Sequence, residues 1–440
     1  MPSMKSTIIK SAEFLRRREN LLQMTGPGSI ILLQAASEKT RNSDVLYPYR
    51  QDSDFLYISG FSEPEAVLVL IAREAGNRSL LFCRPSDPDR AIWDGPRAGL
   101  EGALADFGMD EAFDIAELDK RLPELMAAAE KVYYKVGCEP DFDRQVMRWM
   151  HQLHDSKDAH LPQELVSLEH DLHELRLFKS KAEVKAMRTA AQIGSKAHIK
   201  VMQAAAGASN EAELQAELML IFYRNHCPWA YQPIVGAGDN GCVLHYVDNN
   251  QPINSGDLIL VDAGCECEGY ASDITRTFPA NGRFSPEQKA LYELVLKSQL
   301  AAIELVSPGN LWLDAHHKVV EILTLGLVEL GLLQGELKEL IDSEAYKEFY
   351  MHKTGHWLGL DVHDVGDYTI DGESRQLEPG MVLTIEPGLY IAPDCELVEP
   401  RWRGIGIRIE DDVLVTRDGN EVLSQDAPKS VAEIEALMQA

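Results

Sequence analysis

Acidic residues at the ends of apolar, strand-like runs constrain the fold of this chain more than any other sequence feature. In the run 256–262, alternation puts Leu258, Leu260 and Asp262 on one face, so a carboxylate ends an otherwise apolar surface. A buried, unpaired carboxylate is costly in free energy. Runs of the same kind end at Glu386 and Glu410. The fold must therefore give these acids partners, and the simplest way is to bring them to one site.

Asp273 adds a fourth acid to this set. It lies on a predicted return strand, 270–277, after a turn that contains Gly269, and the resulting hairpin would bring it alongside Asp262. Neighbouring carboxylates repel each other unless they share a proton or a cation. Taken alone, the pair is explained equally well as charged residues of a surface hairpin. With the two glutamates, however, the set carries four negative charges, which two divalent cations would balance.

Three histidines, His352, His356 and His363, cluster in residues 350–364. The first two are four residues apart, as in a helical zinc motif, but position 353 is Lys instead of Glu, and two nearby glycines disfavour a helix. One histidine as a metal ligand, with the other two as hydrogen-bond donors nearby, is the simplest interpretation. The glycines are expected to let the backbone pass close to a substrate.

The types of ligand predict the class of metal. Oxygen-rich ligands with one imidazole favour manganese, iron, cobalt or zinc over a thiolate zinc site or a calcium cage, and manganese is the first choice. Two ions bridged by carboxylates can hold a hydroxide between them and lower its pKa, which prepares it for hydrolysis.

Composition restricts the partners and the compartment. The formal net charge of −28 would repel nucleic acid and anionic membranes. Residues 1–10 contain no apolar run long enough for a signal peptide, and no later run approaches a membrane span, which predicts a cytoplasmic protein. The seven cysteines include no CxxC pair, so reduced, structural thiols are expected. Cys265 and Cys267, in a predicted hairpin, are interpreted as incidental neighbours.

The order of predicted elements indicates two domains. Up to about residue 175, buried strands alternate with helices, which is typical of a compact α/β domain, here assigned to residues 1–175. A capping box at Ser180 and Glu183 then begins a helix. From there, two helices followed by strands occur twice, which predicts an internally duplicated α+β domain over residues 176–440.

The five candidate ligands occur in a recognisable order. Asp262, Asp273, His356, Glu386 and Glu410, with their flanking residues, resemble the ligands of the dinuclear metallopeptidases with the pita-bread (creatinase/aminopeptidase) fold, a family that includes methionine aminopeptidase, prolidase and aminopeptidase P. The segments 47–55 and 352–364 are similar to bacterial aminopeptidase P. The resemblance implies an α+β pita-bread catalytic domain with an internal pseudo-duplication, preceded by the smaller α/β domain.

The resemblance also implies roles for these ligands. Asp262 and Asp273 would chelate one manganese ion, and Asp273 and Glu410 would bridge to a second, completed by His356 and Glu386. A hydroxide between the ions would attack the carbonyl before proline. Glu386 would also carry the proton to the leaving nitrogen.

Further residues receive roles by the same resemblance. His363 would stabilise the tetrahedral oxyanion, and His245 would hold the substrate beyond the scissile bond. His352 and Arg408 would shape the proline pocket. Trp93 resembles a tryptophan that reaches the site of a neighbouring subunit in tetrameric relatives, which implies a homo-oligomer.

The implied function is that of an Xaa-Pro aminopeptidase, which removes an N-terminal residue ahead of proline from peptides. Prolidase, which cuts only Xaa-Pro dipeptides, shares all five ligands and is the alternative. Methionine aminopeptidase has no place for the first 170 or so residues. A non-catalytic binding module is disfavoured because such relatives lack several ligands. The loop 367–375 departs from the family pattern, so no substrate-binding role is expected for Arg375.

Overall fold

The computed structural model of the chain describes residues 8–155 and 160–439. These residues form two compact units, Met1–Arg176 and Leu177–Ala440. The domain boundary predicted from the sequence, between residues 175 and 176, differs by one residue from this division. The prediction that residues 1–10 contain no signal peptide falls mostly outside the described residues. Among the helices that are described, none combines the length and hydropathy needed to cross a membrane.

The first unit contains a mixed six-stranded sheet with helices around it. The helices that begin in this unit are α1 (Ser11–Thr25), α2 (Ser53–Ser59), α3 (Pro88–Asp94), α4 (Gly99–Ala105), α5 (Leu118–Met126), α6 (Pro140–His154) and α7 (Glu169–Leu177). The strands are β1 (Ser29–Gln34), β2 (Thr40–Asn42), β3 (Val45–Leu46), β4 (Val67–Ile71), β5 (Arg78–Cys83), β6 (Glu111–Asp114), β7 (Lys131–Tyr134) and β8 (Glu164–Ser167).

The sheet has the order β6-β5-β4-β1-β7-β8, and β1 runs antiparallel to β4 but parallel to β7. The central strands β1 and β4 are continuous apolar runs because both of their faces are covered. Phe142, Val146 and Trp149 of α6 recur at helical spacing and enter the same apolar core. The sequence did not predict β6 and β8, since these edge strands are short and polar and carry no apolar alternation.

The carboxylate of Asp54, in α2, lies close to three basic side chains of this unit. It lies 2.7 Å from Arg176 Nη1, 3.0 Å from Lys135 Nζ and 3.6 Å from His173 Nε2. Burial would raise the pKa of Asp54, but these three groups hold it well below its usual range. The ionised carboxylate therefore stabilises the folded unit.

Replacing Asp54 with alanine is expected to lower the free energy of unfolding at pH 7 by about 3 kcal/mol, because the buried guanidinium of Arg176 loses its anion. Because the folded pKa is depressed, this contribution is present above the unfolded pKa of about 3.9 and fades as the pH falls below it. Urea denaturation between pH 3 and pH 7 tests both statements. Asp141→Ala, at an exposed ion pair with Arg144, is the matched control and should change little; an equal loss in both variants would refute the role of Asp54.

The second unit holds the remaining elements. Its helices are α8 (Lys181–Ala205), α9 (Glu211–Arg224), α10 (Pro286–Glu304), α11 (Trp312–Glu329), α12 (Leu337–Asp342) and α13 (Val431–Met438). Its strands are β9 (Ile234–Ala237), β10 (Leu258–Asp262), β11 (Glu266–Cys267), β12 (Tyr270–Ala271), β13 (Thr275–Pro279), β14 (Thr369–Ile370), β15 (Glu373–Ser374), β16 (Val382–Ile385), β17 (Gly388–Ile391), β18 (Ile405–Arg408), β19 (Asp411–Val415) and β20 (Asn420–Val422). Short 3-10 turns lie at Gly238–Cys242, Ala345–Glu348 and Pro400–Trp402 in this unit, and at Ile115–Glu117 in the first unit.

The same arrangement occurs twice in the second unit. The helix pair α8 and α9 precedes an antiparallel sheet of order β13-β10-β9, and the pair α10 and α11 precedes one of order β16-β19-β20. Two of these helices begin at capping boxes, with Ser180 and Glu183 for α8, as predicted, and with Ser285 and Gln288 for α10. The predicted alternation of helix pairs and strands is therefore observed.

Candidate active site

The first sheet of the second unit delivers two of the acids. Asp262 is the last residue of β10 and lies opposite Thr275 of β13. The predicted single strand 270–277 is wrong, since residues 272–274 separate β12 from β13. Asp273 lies in this break, where its backbone N–H donates to Asp412 Oδ1 over 3.1 Å. The irregular backbone turns the Asp273 carboxylate toward that of Asp262.

Tyr231 lies between these two acids. Its hydroxyl is 2.5 Å from Oδ1 of Asp262 and 2.5 Å from Oδ1 of Asp273. One phenol proton cannot satisfy two carboxylates, so a proton must be shared over the group unless a cation is bound. Burial, followed by the charges of the two acids, raises the pKa of Tyr231 well above its usual value. Burial is also the main cause of the raised pKa of Asp273.

The histidine segment is held against β16 of the second sheet. Thr384 N–H donates to the carbonyl of His356 over 2.9 Å, and Glu386 N–H donates to the carbonyl of Thr354 over 2.8 Å. A Cβ at Gly355 would overlap the carbonyl oxygen of Thr384. The close approach that glycine allows here is to a neighbouring strand, where the sequence interpretation expected a substrate. Gly359 likewise packs against a carboxylate, that of Asp364.

His356 points its Nε2 atom at two acids. This atom lies 3.4 Å from Asp273 Oδ2 and 3.4 Å from Glu386 Oε1, while Nδ1 donates to the carbonyl of Trp357 over 3.0 Å. Burial opposes the imidazolium, but the hydrogen bond with Asp273 and the charge of Glu386 outweigh it and raise the pKa of His356 to about 9. The fixed Nδ1–H leaves Nε2 as the metal-ligating nitrogen.

Glu410 and Glu386 complete the acidic group. Glu410 follows β18, is almost fully buried, and accepts a hydrogen bond of 2.6 Å from Thr275 Oγ1. The pKa of Glu410 is raised well above its usual value, chiefly by burial and next by repulsion from Asp273. Burial raises the pKa of Glu386 to about 7. Ligand atoms of Asp273, His356 and Glu410 all lie within 4.8 Å of one another.

The donor set fits divalent metal ions. Four carboxylates and one imidazole nitrogen converge, and removal from water together with mutual repulsion disfavours the ionised acids. A dication among them would remove that penalty and favour their ionised forms. The five candidate ligands that were identified from the sequence therefore lie in one region of the fold.

Arg408 anchors one side of the group. Its guanidinium donates to Asp262 Oδ2 over 2.6 Å, to the Tyr390 hydroxyl over 2.9 Å and to Thr275 Oγ1 over 3.1 Å. The Tyr390 hydroxyl lies 2.9 Å from Nε2 of His352. Burial, followed by the charge of Arg408, lowers the pKa of His352 to about 4, so this imidazole is neutral and accepts the phenol proton. His352, Tyr390 and Arg408 form one hydrogen-bonded chain beside the acids.

The remaining predicted residues lie farther from the acids or outside this unit. The ring of His363 lies 4.0 Å from that of His356. His245 is exposed, and its charge is among the causes that lower the pKa values of His352 and His363. Trp93 belongs to α3 of the first unit and is 81% exposed. Arg375 is buried, with its guanidinium over the ring of Phe178.

Sequence reasoning missed the residues that support the ligands. Arg276 is fully buried and donates to the Glu410 carbonyl over 2.6 Å and to Asp411 Oδ1 over 2.7 Å. Asp412 accepts from the backbone of Asp273. The run of three acids at 410–412, which leads into β19, was a signal that could have been used, because buried acids need partners. Tyr231 follows no comparable pattern.

Family comparisons agree with this geometry. Residues 185–417 match the family described as metallopeptidase family M24, and residues 14–133 match the family described as aminopeptidase P, N-terminal domain. The chain belongs to metallopeptidase family M24. The N-terminal match falls within the first compact unit, and the M24 match falls within the second.

Relatives of this M24 chain match over nearly its whole length. An Xaa-Pro aminopeptidase of Escherichia coli K12 is 46% identical over 98% of both chains. The structure of Pseudomonas aeruginosa aminopeptidase PepP is 53% identical, with a TM-score of 0.96 over 99% of both chains. That of E. coli aminopeptidase P with the inhibitor Pro-Leu is 45% identical, with a TM-score of 0.95 over 98% of both. The predicted pita-bread domain with an α/β domain before it is confirmed.

Proposed function

We propose that this protein is an Xaa-Pro aminopeptidase, a hydrolase that removes the N-terminal residue ahead of proline with the help of two divalent metal ions. The observation that carries the proposal is that Asp273 and Glu386 both lie 3.4 Å from His356 Nε2, and that a ligand atom of Glu410 lies within 4.8 Å of those of Asp273 and His356. Asp262 is joined to Asp273 through the Tyr231 hydroxyl. Membership of the M24 family and the near full-length similarity to Xaa-Pro aminopeptidases support it.

The residues that would hold the ions are those predicted from the sequence: Asp262, Asp273, His356, Glu386 and Glu410. We expect manganese, because oxygen donors with one imidazole suit it. When bound, the two ions would polarise the scissile carbonyl and lower the pKa of the attacking water. In this arrangement Tyr231 donates its proton to Asp262 or Asp273 and keeps both carboxylates oriented.

The side chains themselves supply proton transfer and orientation. Glu386 takes a proton from the attacking water and passes it to the leaving proline nitrogen, acting first as general base and then as general acid. His363, beside His356, donates to the tetrahedral oxyanion. The site thus separates proton transfer from oxyanion stabilisation.

Substrate recognition is assigned to three further residues. His352, fixed by Tyr390, forms with Arg408 the wall against which the proline ring packs. His245 would hold the peptide beyond the scissile bond. Since an X–Pro bond is a tertiary amide, a site shaped for the proline ring suits a substrate with proline at position two.

We also propose a cytoplasmic homotetramer. The support for the tetramer is the exposed Trp93, which would reach the site of a neighbouring subunit. Size-exclusion chromatography with light scattering should give four chains per particle, and Trp93→Ala should lower activity more than it changes that mass.

A pair of peptides tests the substrate class. The metal-loaded enzyme should release glycine from the tripeptide Gly-Pro-Ala but not from Gly-Ala-Ala, which lacks proline. The dipeptide Gly-Pro distinguishes prolidase, an alternative that the full-length relatives do not favour. Cleavage of Gly-Pro without cleavage of Gly-Pro-Ala, measured by amino-acid release, would overturn the proposal.

A further inference from the structure

Three cysteines lie together in the second unit, apart from the acidic group. Cys227 follows α9, Cys265 precedes β11, and Cys267 ends it. All three are buried, at 4%, 0% and 8% exposure. The sequence interpretation treated Cys265 and Cys267 as incidental neighbours in a predicted hairpin, and Cys227 was not considered with them.

Strand register brings Cys227 opposite Cys267. Trp229 and Cys265 form an antiparallel bridge, flanked by hydrogen bonds from Ala230 N–H to Gly264 O (3.0 Å) and from Glu266 N–H to Pro228 O (2.8 Å). This pattern marks a pair that is not itself hydrogen-bonded, and pairs of this kind recur every two residues. The next one joins Cys227 and Cys267. Their expected Cα separation of about 4.5 Å lies within the range that a disulfide requires.

The three thiols are neighbours, since Cys265 and Cys267 both act on the pKa of Cys227. The Cys227 Sγ atom itself donates to Asn225 O over 3.5 Å. The contact with Cys265 is the main cause that raises the pKa of Cys227 to about 12. Cys265 lies diagonally across the strand pair, and its Sγ also donates to Ala190 O over 3.6 Å. The register therefore favours Cys267 over Cys265 as the partner of Cys227.

A shared metal ion fits these thiols less well. Within residues 8–155 and 160–439, a group of three metal-ligating atoms lying within 4.8 Å of one another is found at Asp273, His356 and Glu410, and not at the cysteines. Cys265 and Cys267, two residues apart on one strand, share a face but are separated by about 7 Å along it, whereas a cross-strand pair needs no rearrangement.

We propose that Cys227 and Cys267 are a modification site, at which hydrogen peroxide produces an intramolecular disulfide. One thiol attacks the peroxide, the O–O bond breaks, and a sulfenic acid and one water form. The second thiol displaces hydroxide from the sulfenic sulfur, the S–S bond forms, and the proton of this second thiol and the hydroxide give a second water. Two thiols are oxidised by two electrons, and one peroxide is reduced to two waters.

The bond would close a loop that contains Tyr231 and Asp262. Tyr231, four residues after Cys227, is already held to the hairpin segment, because Ala230 N–H donates to Gly264 O over 3.0 Å. A disulfide at a matching register adds a covalent link without moving this segment. The oxidised protein should therefore keep its activity and become more resistant to unfolding.

The experiment uses metal-loaded protein in a Cys138→Ser background, because Cys138 is an exposed thiol. After treatment with peroxide, the number of thiols titrated in denaturant should fall by two, and mass spectrometry of a non-reduced digest should show a 227–267 cross-link. Cys265→Ser, the matched control, should keep the cross-link, whereas Cys267→Ser should lose it. The unfolding midpoint should rise by about 5 °C and return after reduction.

Other outcomes would overturn the proposal. These are a digest without the 227–267 peptide, a cross-link that joins Cys227 to Cys265 in the presence of Cys267, or an unfolding midpoint that falls on oxidation. Because the digest is made from protein with all three cysteines present, failure of a serine variant to fold does not remove the test. The result is also independent of the substrate assay.

Discussion

Replacing Glu386 with alanine is expected to lower kcat by about 1,000-fold or more, because one residue supplies both a metal ligand and the proton carrier. In the structure its Oε1 lies 3.4 Å from His356 Nε2, and its backbone N–H is fixed to the carbonyl of Thr354. The backbone hydrogen bonds that hold this segment do not involve the side chain. Hydrolysis of Gly-Pro-Ala, metal content and circular dichroism are measured together.

The fold of this variant should be unchanged and its metal content reduced. Glu378→Ala is the matched control, since Glu378 is an exposed glutamate that precedes β16. The control should keep full activity and the full metal content. A fully active Glu386→Ala enzyme would contradict the assignment of this residue.

Replacing His363 with alanine is expected to lower kcat by about 100-fold while the metal content stays the same. Its ring lies 4.0 Å from that of His356, so it borders the acids without completing the donor set. Burial, followed by the charge of His356, lowers the pKa of His363 to about 4, which keeps the imidazole neutral at pH 7. A neutral imidazole can donate one hydrogen bond to a developing oxyanion.

The readouts separate this role from that of a ligand. His317→Ala, at an exposed histidine of α11, is the control and should leave both activity and metal content unchanged. Loss of both metal ions from the His363→Ala protein would mean that His363 is a ligand. Unchanged turnover would remove it from the mechanism.

The candidate ligands could be found from the sequence because each acid breaks a simple pattern. Asp262 ends an apolar strand face, and the observed register, with Asp262 opposite Thr275, keeps the alternation intact. The N-terminal ends of the helices at Ser180 and Ser285 could also be predicted, because capping hydrogen bonds join residues that are close in sequence. Local patterns therefore predicted both the elements and the acids they carry.

Features that depend on distant contacts could not be predicted. The break at residues 272–274 exists because Asp273 N–H bonds to Asp412, 139 positions away. The hydroxyl of Tyr231 contacts Asp262 and Asp273, which are remote from it in sequence. Gly355 was linked to a substrate, but its neighbour is a strand that is remote in sequence. The neighbours of these residues are set by the tertiary structure, which the periodicity of a local sequence cannot predict.

Metal binding tests the central claim most directly. Protein freed of metal by a chelator and titrated with Mn²⁺ should bind two ions per chain, and hydrolysis of Gly-Pro-Ala should return as the sites fill. Asp273→Ala, which removes a carboxylate that both ions would share, should bind at most one ion and remain inactive. Full activity after chelation, or a chain that binds no Mn²⁺, would contradict a dinuclear site built from these five residues.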